Sequence, residues 1–189
     1  MLMKELIRKT RSYRRFKQTP IQEEILHELV DLGRLSPNHV NKQPLKYIIS
    51  CNPETNNKIF PCLLWAKNLK NWSGPKEHER PAAYIIILGD TAICEDFGQN
   101  AGIAAQSMVL GATEKGVASC MIGNILREQL ITGCAIPQRY KVLLVVALGY
   151  PGETILLEDL KDGNTAYYRD ENDVHHVPKR TLEEVIVRL

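Results

Sequence analysis

The sequence predicts a fold in which helices and strands alternate, α/β or α+β, and three observations carry that expectation. Two uninterrupted apolar runs, AAYIIIL at residues 82–88 and KVLLVVAL at residues 141–148, have the length of buried strands and are bounded by proline or glycine turns. Residues 21–35 place Ile25, Leu26, Leu29, Val30 and Leu32 at helical spacing. Residues 96–123, DFGQNAGIAAQSMVLGATEKGVASCMIG, form the longest low-charge run of the chain, and the rest is read as arranged around it. Alternation of the two element types without a repeat or a composition break then points to one mixed domain.

In chain order, residues 2–8 read as a short amphipathic helix with Leu2, Leu6 and Ile7 on its apolar side, leading into the basic segment TRSYRRF. Thr19-Pro20 opens the helix of residues 21–35, and Ser36-Pro37-Asn38 breaks it. The following SPNHVNKQP is too elaborate for a minimal connection, and such loops often carry function. LKYIISC at residues 45–51 is a strand, residues 54–65 are weakly helical, and residues 66–80 read as a polar excursion containing Trp72, Gly74 and Pro75.

The central helix is expected to begin at Asp96, as cap, with Gln99 at the third helical position, and to end at Lys115-Gly116. Ala101, Ala104, Ala105, Met108 and Ala112 on one side and Ile103, Val109 and Leu110 on others make it apolar nearly all round, which predicts a buried helix. Its small residues, Gly98, Gly102, Ala105 and Gly111, admit a second backbone or a flat ligand. VASCMIG then reads as a short strand ending in a glycine turn, and residues 127–133 as a short helix nucleated at Asn124. The tail, residues 152–189, is long and charged. Within it, residues 167–169 and 174–177 are expected to pair as a hairpin around Glu171-Asn172-Asp173, and Thr181 to cap a last helix with Glu184 at its third position.

Composition bounds the function. The chain of 189 residues is 44% hydrophobic and 24% charged, ordinary values for one soluble domain. A formal net charge of +2 gives no argument for a nucleic-acid partner. Position is more informative: Lys9, Arg11, Arg14, Arg15 and Lys17 crowd one end of the chain and Lys179 and Arg180 the other, an arrangement that can converge on one anion. Five cysteines without CxxC spacing suit reduced thiols of a cytoplasmic protein, and neither a signal peptide nor a membrane span is readable.

Several standard motifs are absent, among them GxGxxG after a strand, the Walker loop, GxSxG and HExxH. His175-His176 is a poor metal pair, because adjacent residues on a strand point to opposite faces. Cys120 reads as a buried structural thiol. Arg11-Ser12-Tyr13-Arg14 is the segment best suited to an anion, since two guanidiniums flanking a hydroxyl can fork onto phosphate oxygens, and a solvated basic helix end is the alternative.

Taken together, RSYRRF before a Pro-Ile helix start, SPNHVNKQP before a strand, DFGQNAGIAAQSMVLGATEKG before a strand and IGN, and a buried strand ending in ALGYP resemble the flavin-dependent nitroreductase family in order and spacing. The resemblance implies an α+β fold with a central mixed or antiparallel sheet flanked by helices, in an intertwined homodimer that binds FMN at its subunit interface. It implies that Arg11 and Ser12 hold the FMN phosphate, that Arg14 reaches the N1/C2-carbonyl edge of the flavin, and that Ile122 and Gly123 form the turn whose amide meets flavin N5. Pro37, Asn38, His39 and Asn41 match a loop that the family takes from the partner chain, and Lys179 and Arg180 resemble a C-terminal basic pair that closes on the phosphate.

The departures are specific. Thr10 stands where the family usually has arginine, Asn38 and His39 replace two serines, Leu45 replaces a common tryptophan, and an acidic residue near N5 is missing. The implied activity is oxidation of NADH or NADPH and reduction of a small electron-poor acceptor, nitroaromatic or quinone, by a ping-pong cycle in which the flavin carries the chemistry. Alternatives are a specialised branch, such as a dehalogenase or a flavin-degrading enzyme, and a flavin-binding protein without turnover. Residues 1–189 are expected as one domain, with residues 66–80 as a variable lid and 152–189 as a C-terminal extension, and with no nucleic-acid or membrane partner.

Overall fold

The computed structural model describes residues 1–66, 68–69 and 72–188. Its sheet is organised by the longest strand, β5 (Tyr140–Pro151), which pairs antiparallel with β3 (Ala83–Asp90) and with β4 (Ala118–Ile122). β2 (Leu45–Ser50) adds to β3, and β1 (Phe16–Lys17) meets the end of β5 at Tyr150 and Pro151. Side chains alternate along β3: Ile85 and Ile87 face one layer, Tyr84, Ile86 and Leu88 the other, and all are buried. Both sheet faces are therefore covered, which is why the run reads as continuously apolar rather than alternating.

One layer holds α2 (Glu23–Leu35) and α4 (Asn100–Glu114), packed through Leu26, Leu29, Ala104, Ala105 and Met108. The other holds α3 (Pro53–Ile59) and α5 (Arg127–Gly133), with Ile59 and Leu130 in the second core. α2 and α4 cross closely because each offers a glycine: a β-carbon at Gly111 would collide with Leu32, and one at Gly33 with Met108.

The central helix corrects two expectations. It starts at Asn100, and Asp96 instead accepts a hydrogen bond from Gly98 N–H at 2.9 Å in the preceding turn. It is also not buried all round. Gly102, Ile103 and Gln106 face outward, with Ile103 39% exposed, and a β-carbon at Gly102 meets nothing within 4 Å. Lys115 and Gly116, at φ 73°, end it as expected. Likewise α5 follows Leu126 rather than Asn124, and the helix expected over residues 54–65 stops at Ile59, where α3 gives way to a single 3-10 turn, Phe60–Cys62.

The tail is more ordered than its composition suggests. β6 (Ile155–Asp159) runs parallel to β8 (His175–Lys179), and β7 (Tyr168–Arg169) pairs antiparallel with β8, as the expected hairpin does. β1 and β6 are strands the sequence pattern did not announce; each is short and is formed by pairing rather than by its own periodicity. In α6 (Leu182–Val185) Glu184 N–H donates to Thr181 Oγ1 at 3.3 Å and Thr181 N–H to Glu184 Oε2 at 2.8 Å, the reciprocal cap expected there. Of the excursion at residues 66–80, residues 67, 70 and 71 lie outside the described residues. Among the described residues no helix is long and apolar enough to cross a membrane.

Candidate functional site

α1 (Met3–Lys9) delivers the basic segment to the edge of β4. Thr10 closes the helix: its hydroxyl donates to Leu6 C=O at 2.8 Å and pairs with Thr113 Oγ1 at 3.0 Å, and the residue is buried. An arginine cannot take this seat without burying charge, so the departure at Thr10 has a packing reason. Ser12 then bridges Ser119 in parallel, and Tyr13 N–H donates to Ser119 C=O at 2.9 Å. Arg11 donates Nη2 to Ile7 C=O at 2.9 Å, while its buried Nε has no partner among the described residues, and desolvation lowers its pKa. A cavity of about 240 Å³ opens here, lined by Thr10, Arg11, Ser12, Gln106, Val109, Ser119 and Met121.

Ile122 ends β4 in the core, and Gly123 follows on the surface. Among the described residues Gly123 N–H has no acceptor. The turn is fixed by Arg127, which donates Nε to Val142 C=O at 3.0 Å and Nη2 to Gly123 C=O at 3.3 Å. Cys120, beside it, is buried, and burial raises its thiol to about 11, which suits a structural residue rather than a nucleophile.

The loop with Pro37, Asn38, His39 and Asn41 lies at the other end of α4. His39 N–H donates to Asn100 Oδ1 at 3.0 Å, Gln43 N–H to Asn38 Oδ1 at 2.9 Å, and Ser36 Oγ to Ser107 Oγ at 2.6 Å. Val40, Asn41 and Gln43 all hold positive φ, at 51°, 52° and 52°. A left-handed β-branched residue is a strained one, and here the Asn38 and Asn100 side chains hold the backbone that bears it. Thr113 and Asn100 are thirteen helical steps apart, about 20 Å, so one chain does not bring this loop to Arg11 and Ser12. Nor does it bring Lys179 and Arg180 there. β8 meets Arg14 at its first residue, His175; Lys179 is at its far end opposite Asp159, and Arg180 pairs with Glu184.

What the tail does bring is a buried polar cluster around Arg14. Glu153, its side chain 1% exposed, accepts through Oε1 from the backbone N–H groups of Arg14 and of Arg15, the latter at 3.1 Å, and through Oε2 from Arg169 Nη2 at 2.7 Å. Arg14 Nη1 contacts His175 Nε2 at 3.2 Å and donates to Ser12 C=O at 3.1 Å, and its guanidinium lies 4.4 Å from the Tyr167 ring centre. Arg169 in turn lies over Trp72 of the excursion at 4.8 Å, and Arg15 pairs with Glu79 and Asp173. Sequence reasoning missed Glu153, Tyr167 and His175 as neighbours of the basic segment. Their only signal was an aromatic and histidine cluster in a charged tail.

The two adjacent histidines point apart, as expected of a strand, and have opposite pH responses. His175 is fully buried, and desolvation, reinforced by Arg14, lowers its pKa to about 4; Glu153 opposes this, while Arg169 and His176 add to it. His176 stacks on Tyr168 and lies between Glu158 Oε2 at 3.0 Å and Asp170 Oδ2 at 3.2 Å, hydrogen bonds to Asp170 and then Glu158 raising its pKa. The unfolded chain binds the His175 proton more readily, so that contribution is complete above the ordinary histidine value of about 6.5 and is lost as pH falls toward about 4. The His176 contribution has the other sign, present below its unfolded value and lost as pH rises through its raised one. Urea midpoints measured against pH are expected to show a shallower acid slope in His175→Gln than in the unsubstituted chain. Equal slopes would remove His175 as the cause.

Comparison with known proteins places this geometry in a class. The fold is shared with a nitroreductase family protein of Streptococcus pneumoniae TIGR4, at TM-score 0.71, 15% identity and full coverage of both chains. It is shared also with a provisionally named nitroreductase of Desulfovibrio desulfuricans solved in complex with FMN, at TM-score 0.66 and 19% identity over 98% of this chain and 95% of that one. In sequence, a protein of Methanothermobacter thermautotrophicus provisionally named an NADH dehydrogenase/NAD(P)H nitroreductase is 27% identical over 84% of this chain and 82% of its own length. The Nitroreductase family model matches residues 7–150, and the chain belongs to that family.

Proposed function

We propose that the protein is an FMN-dependent NAD(P)H oxidoreductase that reduces small electron-poor acceptors, nitroaromatic or quinone, in a homodimer with two shared sites. The observation that carries this reading is the row along β4: a buried guanidinium nitrogen of Arg11 at one end and the Gly123 N–H at the other, neither with a partner among the described residues. Both fit FMN, an anionic phosphate ester with a ring that accepts hydrogen bonds. When bound, FMN supplies a hydride acceptor and carries the electron pair between donor and acceptor.

The chain's own residues then have distinct tasks. Arg11 and Ser12 hold the phosphate by charge-assisted hydrogen bonds. Arg14 places a fixed positive charge where the reduced ring gathers negative charge, which raises its affinity for electrons. Gly123 N–H, kept in place by Arg127, orients the ring. The excursion around Trp72 shapes the access of the acceptor.

The same distances support the dimer. The loop at Asn38 and the segment at Arg11 stand at opposite ends of α4, with the outward Gly102, Ile103 and Gln106 between them. A two-fold axis through the middle of α4 exchanges its ends and brings the loop of one protomer to the Arg11 of the other. That is the self-complementary contact of a C2 interface.

The test is direct. The purified protein should absorb in the visible as a flavoprotein, and FMN at a hundred times its Kd should stabilise it by about 2.7 kcal/mol. NADH or NADPH should bleach that absorbance without oxygen. A colourless protein whose Tm ignores FMN ends the reading, while binding without bleaching leaves a flavin-binding protein that does not turn over.

A further inference from the structure

Arg14 has a peculiarity that the phosphate-binding segment alone does not explain. One of its terminal nitrogens is saturated: Nη1 reaches Ser12 C=O at 3.1 Å and His175 Nε2 at 3.2 Å. The Tyr167 ring covers one face of the guanidinium at 4.4 Å. Among the described residues Nη2 and Nε make no hydrogen bond. The guanidinium is thus clamped on one side and on one face, and the edge formed by Nη2 and Nε is left open.

Arginine can only donate, so His175 Nε2 must accept, and the ring proton sits on Nδ1. That assignment keeps the buried imidazole neutral beside a cation and leaves its Nδ1–H without a hydrogen-bond partner among the described residues. Glu153 completes the arrangement by holding the Arg14 backbone N–H, and Arg169 and Tyr167 are the other polar groups around the ring of His175. Apart from the bond to Ser12 C=O, every one of these restraints comes from residues 153–175, beyond the matched family region at residues 7–150.

We propose that His175 and Tyr167 are positioning residues of the C-terminal extension that clamp Arg14 so that its open Nη2/Nε edge meets the negative charge of the reduced flavin. This rests on the FMN reading above. A rotating arginine also favours the reduced anion through its charge, but less than a fixed donor pair does. The same residues as a mere structural plug would leave the balance between the two flavin states unchanged.

The experiment compares His175→Gln, which keeps an accepting oxygen near the position of Nε2, with His175→Phe, which keeps a flat ring and offers no acceptor. The readout is the two-electron midpoint potential of bound FMN, measured against a reference dye. His175→Phe should weaken binding of reduced relative to oxidised FMN by about tenfold, or about 30 mV, and His175→Gln should stay close to the unsubstituted protein. If His175→Phe does not fold, Tyr167→Leu replaces it, with a shift of about threefold in the same direction.

A second measurement does not depend on flavin. Imidazole ¹⁵N shifts should show His175 neutral with Nδ1 protonated at neutral pH, and Arg14→Met should move the Nε2 resonance. Unchanged potentials in His175→Phe and Tyr167→Leu overturn the proposal, as does a His175 protonated on Nε2, even in a protein that binds FMN normally. A protein that takes up no FMN at all overturns the functional reading and this proposal with it, and the ¹⁵N measurement then still reports whether the clamp exists.

Discussion

Gly102→Arg is expected to give a folded monomer that retains no FMN. The position separates folding from assembly, since a β-carbon there meets nothing within 4 Å inside the chain. An arginine in place of a helical glycine even favours the helix, by somewhat under about 1 kcal/mol. In the proposed dimer the same position lies within the shared face, where a long charged side chain must be buried against the partner protomer. A charge desolvated there without a partner costs several kcal/mol, which the interface must lose. Gel filtration or sedimentation reads the mass, circular dichroism the fold, and absorbance the flavin. A Gly102→Arg protein that remains dimeric and coloured would place the interface elsewhere.

Glu153→Ala is expected to be the most damaging single substitution for stability. It removes the acceptor of two backbone N–H groups, those of Arg14 and Arg15, and strands the Arg169 guanidinium, whose side chain is 10% exposed. Breaking a buried pair by deleting one partner costs about 3–5 kcal/mol. For a chain of this size that corresponds to a fall in Tm on the order of 10 °C. Glu153→Gln keeps one accepting oxygen for the backbone but turns donors toward Arg169, and should fall between. Thermal denaturation decides, and a Glu153→Ala midpoint within about 2 °C of the unsubstituted chain would mean that water replaces the carboxylate.

How far the sequence led depends on what each element needs from its neighbours. β3 and β5 were legible because both faces are buried and the apolar run is continuous; α2 was legible from its one apolar stripe. α4 was read as buried because its outer face carries glycine and isoleucine, and a single chain leaves that face exposed. Its small residues also divide into two kinds that composition cannot separate. Gly111 admits α2 of the same chain, whereas Gly102 faces nothing in it. The basic segment Arg11-Ser12-Tyr13-Arg14 was singled out for its residue types, and the structure lays it along β4. Glu153, Tyr167 and His175 were not, because a hydrogen bond across 161 positions, as between Arg14 and His175, leaves no local pattern.

That separation has a consequence for biosynthesis. Contacts of high sequence separation form late, since the loop they close must first be ordered. During translation, which proceeds from the N-terminus, the segment bearing Arg14 leaves the ribosome long before Glu153, Tyr167 and His175 exist. Until they emerge, the guanidinium of Arg14 has neither its acceptor nor its aromatic seat, and the backbone behind it lacks its carboxylate. A nascent chain can therefore complete the sheet through β5 while the surroundings of Arg14 are still unfinished. On the proposed function, a truncation that spares every strand of the central sheet still lacks the residues that hold Arg14.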